Sequence, residues 1–238
     1  MKQAIIIGAS SGIGWELAVQ LAAKGYQLGL MARRSGCLEK LADKLPGEHF
    51  IQVTDVSQAE QSQAELTALI EKMGDVDLIV VNSGVGNKER KLDWVVEREM
   101  IDVNVRGFAA MSLTSMNYFT QRGAGHLVGL SSCAAHFSAG VTPTYNATKA
   151  FASSYLNGLR SRAVRSKLPI TVTTIEPGFV ETPMVEGKPM WLAPLEKAVA
   201  QMVTGIEKRR DHIFITKRWR LVALLLDIMP NGLIRKFM

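Results

Sequence analysis

Short apolar runs alternate along the chain with longer segments in which apolar residues recur at helical spacing. The runs are rich in β-branched residues and nearly continuous, which is typical of strands covered on both faces. We predict strands at 3–7, 27–32, 49–53, 77–82, 125–131, 170–175 and 212–216. We predict helices between them at 12–24, 36–44, 57–73, 93–121 (interrupted near Asn104), 144–166 and 194–209.

This alternation of strand and helix indicates the fold class. Strands joined by helical crossovers run parallel, so we predict an α/β fold with one doubly wound parallel sheet of about seven strands and helices on both faces. No repeat, linker or biased tract divides the chain, and 238 residues are ample for one core. Residues 1–238 are therefore predicted to form a single domain.

Composition narrows the class of protein. Apolar residues make up 47% of the chain and charged residues 21%, which excludes a disordered or low-complexity protein. No run approaches the ~18 apolar residues of a membrane-spanning helix, and the N-terminal apolar stretch is too short for a signal peptide. Cys37 and Cys133 make neither a disulfide scaffold nor a metal site. We therefore expect a reduced, cytoplasmic protein without a metal.

The net charge of +6 is unevenly distributed along the chain. Residues 188–238 contain ten Lys or Arg and four Asp or Glu, so they carry the whole excess. Such a segment is typical of a solvated face, and an anionic membrane or nucleic acid are the other options. It contains no recognition module for nucleic acid, so nucleic acid is not expected as a partner.

A glycine-rich loop follows the first predicted strand. It reads Gly8-Ala9-Ser10-Ser11-Gly12-Ile13-Gly14, and an evident helix comes directly after it. Glycines let the backbone turn tightly beside a pyrophosphate, and the free N–H groups at the positive end of the helix dipole bind phosphates. We predict a dinucleotide site here, the alternative being an ordinary tight turn.

Two arginines stand where a dinucleotide-binding unit ends its second strand. In such units an acidic residue at this place holds the ribose 2′-hydroxyl of NAD. This chain instead has Ala32-Arg33-Arg34, with no acid to repel a phosphate and two guanidinium groups to pair with one. Unless Arg33 and Arg34 are only solvated loop charges, they favour NADP over NAD.

The glycine spacing, together with later motifs in the expected order, resembles the short-chain dehydrogenase/reductase family over most of the chain. The later motifs are Asp55-Val56, Asn82-Ser83-Gly84, Asn104, Ser132, Tyr145-x-x-x-Lys149 and Pro177-Gly178-Phe179-Val180-Glu181-Thr182. The chain departs from the family pattern where Val81 replaces an Asn and Ser83 replaces an Ala.

The resemblance implies a Rossmann fold that binds a nicotinamide dinucleotide, here NADP. It assigns Asp55 and Val56 to the adenine ring, and the loop from Pro177 to the nicotinamide carboxamide. The full set of cofactor-binding residues that we predict is Gly8, Ser10, Ser11, Gly12, Ile13, Gly14, Arg33, Arg34, Asp55, Val56, Asn82, Gly84, Tyr145, Lys149, Pro177, Gly178, Val180 and Thr182. Dimers and tetramers are usual in the family, so a homodimer or homotetramer is implied.

Four residues form the catalytic site that the resemblance implies: Asn104, Ser132, Tyr145 and Lys149. Tyr145 and Lys149 are four residues apart, so on a helix they share nearly one face. We expect the ammonium to lower the phenol pKa from about 10, which suits Tyr145 to acid–base work on a carbonyl oxygen. Ser132 would donate a hydrogen bond to the same oxygen, and the family assigns Asn104 to a proton-relaying water. Each residue alone has an ordinary structural explanation; their joint spacing favours catalysis.

These features predict an NADPH-dependent oxidoreductase that reversibly transfers a hydride between the nicotinamide and a carbonyl or alcohol. The alternative is a catalytically silent NADP-binding regulator on the same fold, which would have no reason to keep Tyr145 and Lys149 at this spacing. Residues 183–193 are expected to close over the substrate as a lid. Their Met, Val, Trp and Leu side chains indicate an apolar small-molecule substrate, unless they pack on the core.

The segment 217–238 extends beyond the simplest family members. Its predicted helix is apolar nearly all round, so we expect it to be buried against a subunit or the pocket rim. Because Arg, Lys and Trp flank the apolar run, peripheral membrane contact is the alternative. Near the site, Cys133 is expected to be a small buried residue, and His136 is a candidate for substrate contact.

Overall fold

Seven parallel strands form one sheet in the residues that the computed structural model describes, namely 2–86, 92–137, 140, 142–185, 187, 189 and 191–228. In chain order they are β1 Gln3–Ile7, β2 Gln27–Ala32, β3 Phe50–Val53, β4 Leu78–Val81, β5 Gly125–Leu130, β6 Ile170–Pro177 and β7 His212–Ile215. Across the sheet the order is β3-β2-β1-β4-β5-β6-β7, and each neighbouring pair is parallel. The predicted doubly wound α/β fold is confirmed.

Helices connect the strands and cover both faces of the sheet. They are α1 Gly12–Ala23, α2 Ser35–Ala42, α3 Ala59–Met73, α4 Trp94–Ile101, α5 Phe108–Arg122, α6 Pro143–Ser166, α7 Leu195–Glu207 and α8 Arg218–Ile228. Helices α1, α2 and α7 pack on one face, and α3, α5 and α6 pack on the other. The predicted bounds of strands and of the helices up to α7 agree with these to within two residues.

The strand side chains alternate between two apolar layers, because successive residues of a strand point to opposite faces. In β1, Ala4 and Ile6 belong to the layer with α1 and α7, while Ile5 and Ile7 belong to the layer with α3 and α5. All four side chains are buried. Burial on both faces explains why the strands read as continuous apolar runs in the sequence.

The long helix predicted at 93–121 is interrupted near Asn104, as expected. A π-helical turn over Asp102–Gly107 separates α4 from α5. Gly107 lies so close to the loop after β3 that an added Cβ would be 2.4 Å from the carbonyl oxygen of Val56. The turn directs the Asn104 side chain into the protein, where it is buried. Such turns are frequent at functional sites.

The chain crosses from one half of the sheet to the other between β3 and β4. Strands β1 and β4 therefore lie side by side at the centre, and the order of strands reverses between them. In open α/β sheets, ligands bind in the crevice outside the carboxyl ends of strands at such a point. Gly8 follows β1 and Asn82 follows β4, so their loops meet at this crevice.

The apolar face of α8 is left uncovered by the residues that the structure describes. Leu221, Leu224 and Leu225 are 71%, 61% and 54% exposed, while Ala223 is buried. The predicted burial therefore extends over only one side of the helix. That a subunit or a membrane covers the other side stays a prediction. Residues 229–238 of the extension lie outside the described residues. Within the described part of the chain, no helix has the length and apolarity needed to cross a bilayer.

Candidate active site

A cleft of about 480 Å³ opens at the carboxyl edge of the sheet. The predicted site residues that line it are Gly8, Ser10, Ser11, Gly12, Ile13, Arg33, Arg34, Val56, Asn82, Gly84, Ser132, Tyr145, Lys149, Pro177, Gly178, Val180 and Thr182. Three others, Gly14, Asp55 and Asn104, are not part of this lining. The crevice between β1 and β4 thus brings most of the predicted residues together.

The glycine loop packs tightly against the ends of β1 and β4. Gly8 and Gly12 have φ values of +95° and +55°, in the left-handed region that favours glycine. A Cβ added to Gly14 would lie 2.1 Å from the carbonyl oxygen of Gly8, so Gly14 lets α1 pack against the loop. The Asn82 side chain donates from Nδ2 to the same oxygen at 2.8 Å. Gly14 and Asn82 therefore both pack against the Gly8 carbonyl and fix the conformation of the loop.

The two arginines after β2 have different partners. Arg34 Nη2 donates to Ser10 Oγ and Ser11 Oγ, at 2.8 Å each. Arg33 Nη1 instead lies 3.7 Å from Glu99 Oε1, and both of those side chains are more than half exposed. Arg34 and the two serine hydroxyls thus form a group of donors beside the glycine loop, whereas the charge of Arg33 is shared with Glu99.

Two hydroxyl groups in the cleft lining are buried without a hydrogen-bond partner among the described residues. They are Thr54 Oγ1 and Ser83 Oγ. Because an unpaired buried hydroxyl costs free energy, a wall that carries two of them suits a ligand with polar groups of its own. Together with Arg34 and the amino end of α1, these groups fit the phosphates and riboses of a dinucleotide.

The Asp55 side chain makes its hydrogen bonds within the loop after β3. Its Oδ1 accepts hydrogen bonds from the main-chain nitrogen of Ser57 at 3.0 Å and from Ser57 Oγ at 2.9 Å. The neighbouring Thr54 and Val56, not Asp55, line the cleft. Asp55 therefore fixes the loop after β3, and its predicted contact with an adenine ring stays a prediction.

Ser132, Tyr145 and Lys149 lie together in the lining of the cleft. Ser132 follows β5 and begins a short 3₁₀ turn over Cys133–His136, which it caps by accepting from the Ala134 nitrogen at 3.1 Å. Tyr145 and Lys149 come from the first two turns of α6. The Ser132 hydroxyl lies close enough to the Tyr145 phenol to favour a lower phenol pKa.

Burial is the largest cause of the pKa shifts of Tyr145 and Lys149. It raises the pKa of Tyr145, and the nearby Ser132 hydroxyl only partly opposes this. It also lowers the pKa of Lys149 to about 8. The expected lowering of the phenol pKa by Lys149 stays a prediction: in the chain alone burial outweighs the opposing effects on Tyr145, and the ammonium lies 3.4 Å from the carbonyl oxygen of Leu130.

Asn104 joins the π-helical turn to the loop after β4. Its Oδ1 accepts from the Val85 nitrogen at 2.9 Å, and its Nδ2 donates to the Val85 carbonyl at 2.8 Å. The same Nδ2 is 3.2 Å from Thr148 Oγ1 on α6. A Cβ added to Gly84 would meet Asn104 Oδ1 and Lys149 Nζ at 3.4 Å each. Asn104 thus lies next to Lys149, just behind the cleft wall.

The predicted lid divides into two parts. Pro183, Met184 and Val185 line the cleft. Trp191 packs edge-on against Trp219 of α8, with ring centres 5.7 Å apart. Residues 186, 188 and 190, which include Met190, lie outside the described residues. Closure of this segment over a substrate therefore stays a prediction, and Trp191 packs on α8 and not in the core.

Sequence reasoning missed the most deeply buried charge near the site. Glu176 is 0% exposed at the end of β6, and it binds His136, for which the sequence suggests only substrate contact. Its signal in the sequence is the single charged residue of a strand rich in β-branched residues, directly before Pro177. The expectation for Cys133 is confirmed: it is buried, and burial raises its pKa to about 12.

Comparison with known proteins gives the same family throughout. A family model described as short chain dehydrogenase matches residues 2–193. An uncharacterised oxidoreductase from Myxococcus xanthus is 31% identical over 98% of this chain and 94% of its own length. These matches cover the strands and helices that build the cleft.

Solved structures have the same fold. A short-chain dehydrogenase/reductase from Burkholderia phymatum in complex with NAD superposes with a TM-score of 0.84 at 24% identity, covering 94% of this chain and 92% of that one. An alcohol dehydrogenase from the archaeon Thermococcus sibiricus, complexed with 5-hydroxy-NADP, superposes with a TM-score of 0.75 at 27% identity, covering 90% and 95%. At its low identity, the first of these bears on the fold alone.

Proposed function

The chain belongs to the short-chain dehydrogenase/reductase family of oxidoreductases, and on that premise we propose that it is an NADPH-dependent enzyme acting on a carbonyl or alcohol. The observation that carries the proposal is the convergence of Ser132, Tyr145 and Lys149 in the cleft that the glycine loop also lines. A catalytically silent regulator is not favoured, since a relative matched over nearly its whole length is named an oxidoreductase.

The cleft offers separate groups for each part of the cofactor. The glycine loop and the amino end of α1 would hold the pyrophosphate, and the unpaired hydroxyls of Thr54 and Ser83 would pair with polar groups nearby. Arg34, held by Ser10 and Ser11, would bind a ribose 2′-phosphate, which supports NADP over NAD. The 5-hydroxy-NADP bound to the Thermococcus enzyme is in keeping with this choice. When bound, the nicotinamide supplies or accepts the hydride.

Tyr145 is the proposed acid and base. Its raised pKa keeps the phenol protonated at neutral pH, so it holds a proton ready for a carbonyl oxygen. Ser132, which lines the cleft together with Tyr145, would donate to the same oxygen and stabilise the charge that develops there. The positive charge of Lys149 would stabilise the phenolate that remains after proton transfer.

Asn104 and Lys149 are proposed to connect this proton to solvent. The Asn104 Oδ1 accepts one hydrogen bond in the structure, which leaves it a second lone pair for a water. Its Nδ2 is fixed by Val85 and Thr148, so the amide cannot turn freely. A water held there, beside Lys149, fits the relay that the family resemblance implies.

The proposed substrate is a small apolar carbonyl compound or alcohol. Pro183, Met184 and Val185 give the described part of the lid an apolar surface toward the cleft. Phe179 and Met184 are 43% and 44% exposed, so they are available to cover such a molecule. A methionine adapts to substrates of different shape.

The organisation of the whole chain is part of the proposal. We propose one domain over 1–238, with 183–193 as the lid and 217–238 as an extension that packs on a second subunit. A homodimer or homotetramer would cover the exposed leucines of α8. Peripheral contact with a membrane is the second candidate for the same face, because Lys217, Arg218 and Arg220 flank it.

A panel of apolar ketones and aldehydes, assayed by loss of NADPH absorbance, tests the proposed function. We expect turnover with apolar carbonyls, slower turnover with NADH, and none with the Tyr145→Phe protein. Sugar-like carbonyls serve as the comparison set. Faster reaction with sugars would contradict the substrate class, and activity without Tyr145 would contradict the mechanism.

A further inference from the structure

A buried carboxylate lies behind the catalytic residues. Glu176 Oε2 accepts a hydrogen bond from His136 Nε2 at 2.7 Å and lies 3.0 Å from His212 Nε2, and Oε1 accepts from Ser153 Oγ at 2.6 Å. Burial by itself raises the pKa of Glu176, but these hydrogen bonds outweigh it and bring the pKa to about 2. The side chain is therefore an ionised carboxylate surrounded by donors.

The donors come from the elements that carry the proposed catalytic residues. His136 ends the 3₁₀ turn that Ser132 begins. Ser153 lies four residues after Lys149 on α6, one helical turn further along the same face. The carboxylate of Glu176 thus links the 3₁₀ turn that begins at Ser132 to α6, the helix that carries Tyr145 and Lys149.

Further hydrogen bonds join the same elements. Ser153 Oγ is 2.8 Å from Ser131 Oγ, and Ser131 Oγ donates to the carbonyl oxygen of Lys149 at 2.7 Å. On the other side, Ser132 Oγ is 3.4 Å from the carbonyl oxygen of Pro177, the residue after Glu176. Ser131 is therefore held by α6, while Ser132 makes a longer polar contact with the end of β6.

The edge strand β7 provides a third contact to the Glu176 carboxylate, through His212. The ring of His212 stacks on Phe214 with centres 4.5 Å apart and planes 11° apart, which fixes the imidazole that faces Glu176. Neither Glu176 nor His212 belongs to the lining of the cleft. Their effect on a reaction in the cleft must therefore pass through the residues they hold.

We propose that Glu176 is a positioning residue, which keeps the Ser132 hydroxyl against the Tyr145 phenol by fixing the turn and α6 to the end of β6. The proposal rests on the proposed roles of Ser132 and Tyr145. Replacing the carboxylate by an amide leaves the shape nearly unchanged but removes the charge that holds both imidazoles. The turn is then less tightly held, and Ser132 moves relative to the phenol.

The test compares Glu176→Gln with Thr173→Val. Thr173 is a matched control, since it is buried on the same strand and its hydroxyl bonds His126 and the Arg210 carbonyl, away from the site. Because misplacement by ~1 Å can cost ~100-fold in rate, we expect Glu176→Gln to lower kcat by about tenfold or more. NADPH affinity should stay within about twofold, as expected when only a transition-state interaction is lost. Equal losses of kcat in both variants would overturn the proposal.

A second comparison shows whether the effect passes through Ser132. In a Ser132→Ala background there is no hydroxyl left to position, so Glu176→Gln should lower kcat much less than it does in the wild-type background. The same loss in both backgrounds would mean a role other than positioning Ser132. If Glu176→Gln does not fold, His136→Gln replaces it in this cycle, because it breaks only one of the links.

A third readout does not depend on turnover, so it separates this proposal from the proposed function. Tyrosine labelled with ¹³C at Cζ reports hydrogen bonding at the phenol, and Tyr145→Phe identifies the Tyr145 resonance. We expect Glu176→Gln to move that resonance in the same direction as Ser132→Ala, and Thr173→Val to leave it in place. An unmoved resonance in Glu176→Gln would overturn the positioning role, even if no substrate had been found.

Discussion

The ammonium group of Lys149 lies 5.7 Å from the centre of the Tyr145 ring, one turn further along α6. At this separation the two groups make no direct hydrogen bond in the described structure, so an effect of the ammonium on the phenol would act through charge. In the proposed mechanism Lys149 supplies that positive charge and Tyr145 supplies the proton.

The first prediction concerns that proton. Tyr145→Phe removes the hydroxyl and keeps the ring, so folding and NADPH binding should be preserved. Because a positioned acid or base contributes about 100- to 10,000-fold, turnover should fall by at least about 100-fold. Steady-state kinetics and NADPH titration measure the two effects. Near-normal turnover would mean that another group protonates the substrate.

The second prediction concerns the stability of the protein against pH. Lys149 has a folded pKa of about 8, below the ~10.4 of an exposed lysine, so between these values the unfolded chain binds more protons. The cost of burying the ammonium is full below pH 8 and fades as the pH rises toward ~10.4. Lys149→Met should therefore be more stable than the wild type at pH 7, by roughly 3 kcal/mol at most.

Denaturant unfolding at several pH values checks this prediction. The difference in unfolding free energy between Lys149→Met and the wild type should narrow steadily from pH 8 to pH 10. A difference that stays constant over this range would show that Lys149 does not titrate there. Lys72→Met is a suitable control, because that lysine is exposed on α3.

The third prediction separates the two arginines. Arg34 pairs with Ser10 and Ser11 beside the glycine loop, whereas Arg33 pairs with Glu99. Charge-assisted hydrogen bonds contribute about 1.5–3 kcal/mol, so Arg34→Ala should lower kcat/KM for NADPH by about 10- to 100-fold. Turnover with NADH should change little, and Arg33→Ala should have the smaller effect on NADPH. A reversed order would assign the 2′-phosphate to Arg33.

The fourth prediction concerns close packing at the glycine loop. A Cβ at position 14 would lie 2.1 Å from the Gly8 carbonyl oxygen, so Gly14→Ala forces α1 away from β1 and should destabilise the protein by about 1–3 kcal/mol. Gly36 on α2 has no atom within 4 Å of an added Cβ. Gly36→Ala should therefore stabilise the protein by about 0.5–1 kcal/mol through helix propensity. Chemical denaturation of both variants measures the contrast.

The fifth prediction concerns the exposed face of α8. Leu224→Glu should fold normally, because Leu224 is 61% exposed. If the face packs on a second subunit, the variant should shift to a smaller species in analytical ultracentrifugation, with no change in co-sedimentation with anionic liposomes. Loss of liposome binding without a change of mass would instead assign the face to a membrane.

The strands and most helices followed from local patterns, and the clustering of most site residues followed from the family resemblance. Buried strands repeat as apolar runs, and Tyr145 and Lys149 meet because their spacing matches one turn of a helix. The glycine loop was visible since its glycines stand between a strand and a helix. In each case the signal lay within a few consecutive residues.

The contacts that escaped sequence reasoning join distant segments. Glu176 meets His136 and His212 only because β5, β6 and β7 lie side by side, and no spacing in the chain encodes that meeting. Arg33 and Arg34 likewise have different partners because α4 brings Glu99 close to Arg33. The pKa of Tyr145 depends on the depth of the cleft, which residue types alone do not give.

The indole of Trp219 fills the space beside Gly178 so completely that a methyl group there would lie 1.9 Å from its Nε1. Gly178 is at the same time part of the cleft lining. Trp219 of α8 therefore packs directly behind a residue that forms the wall of the cleft. A change to Trp219, although far from Gly178 along the chain, should therefore alter the shape of the cleft wall.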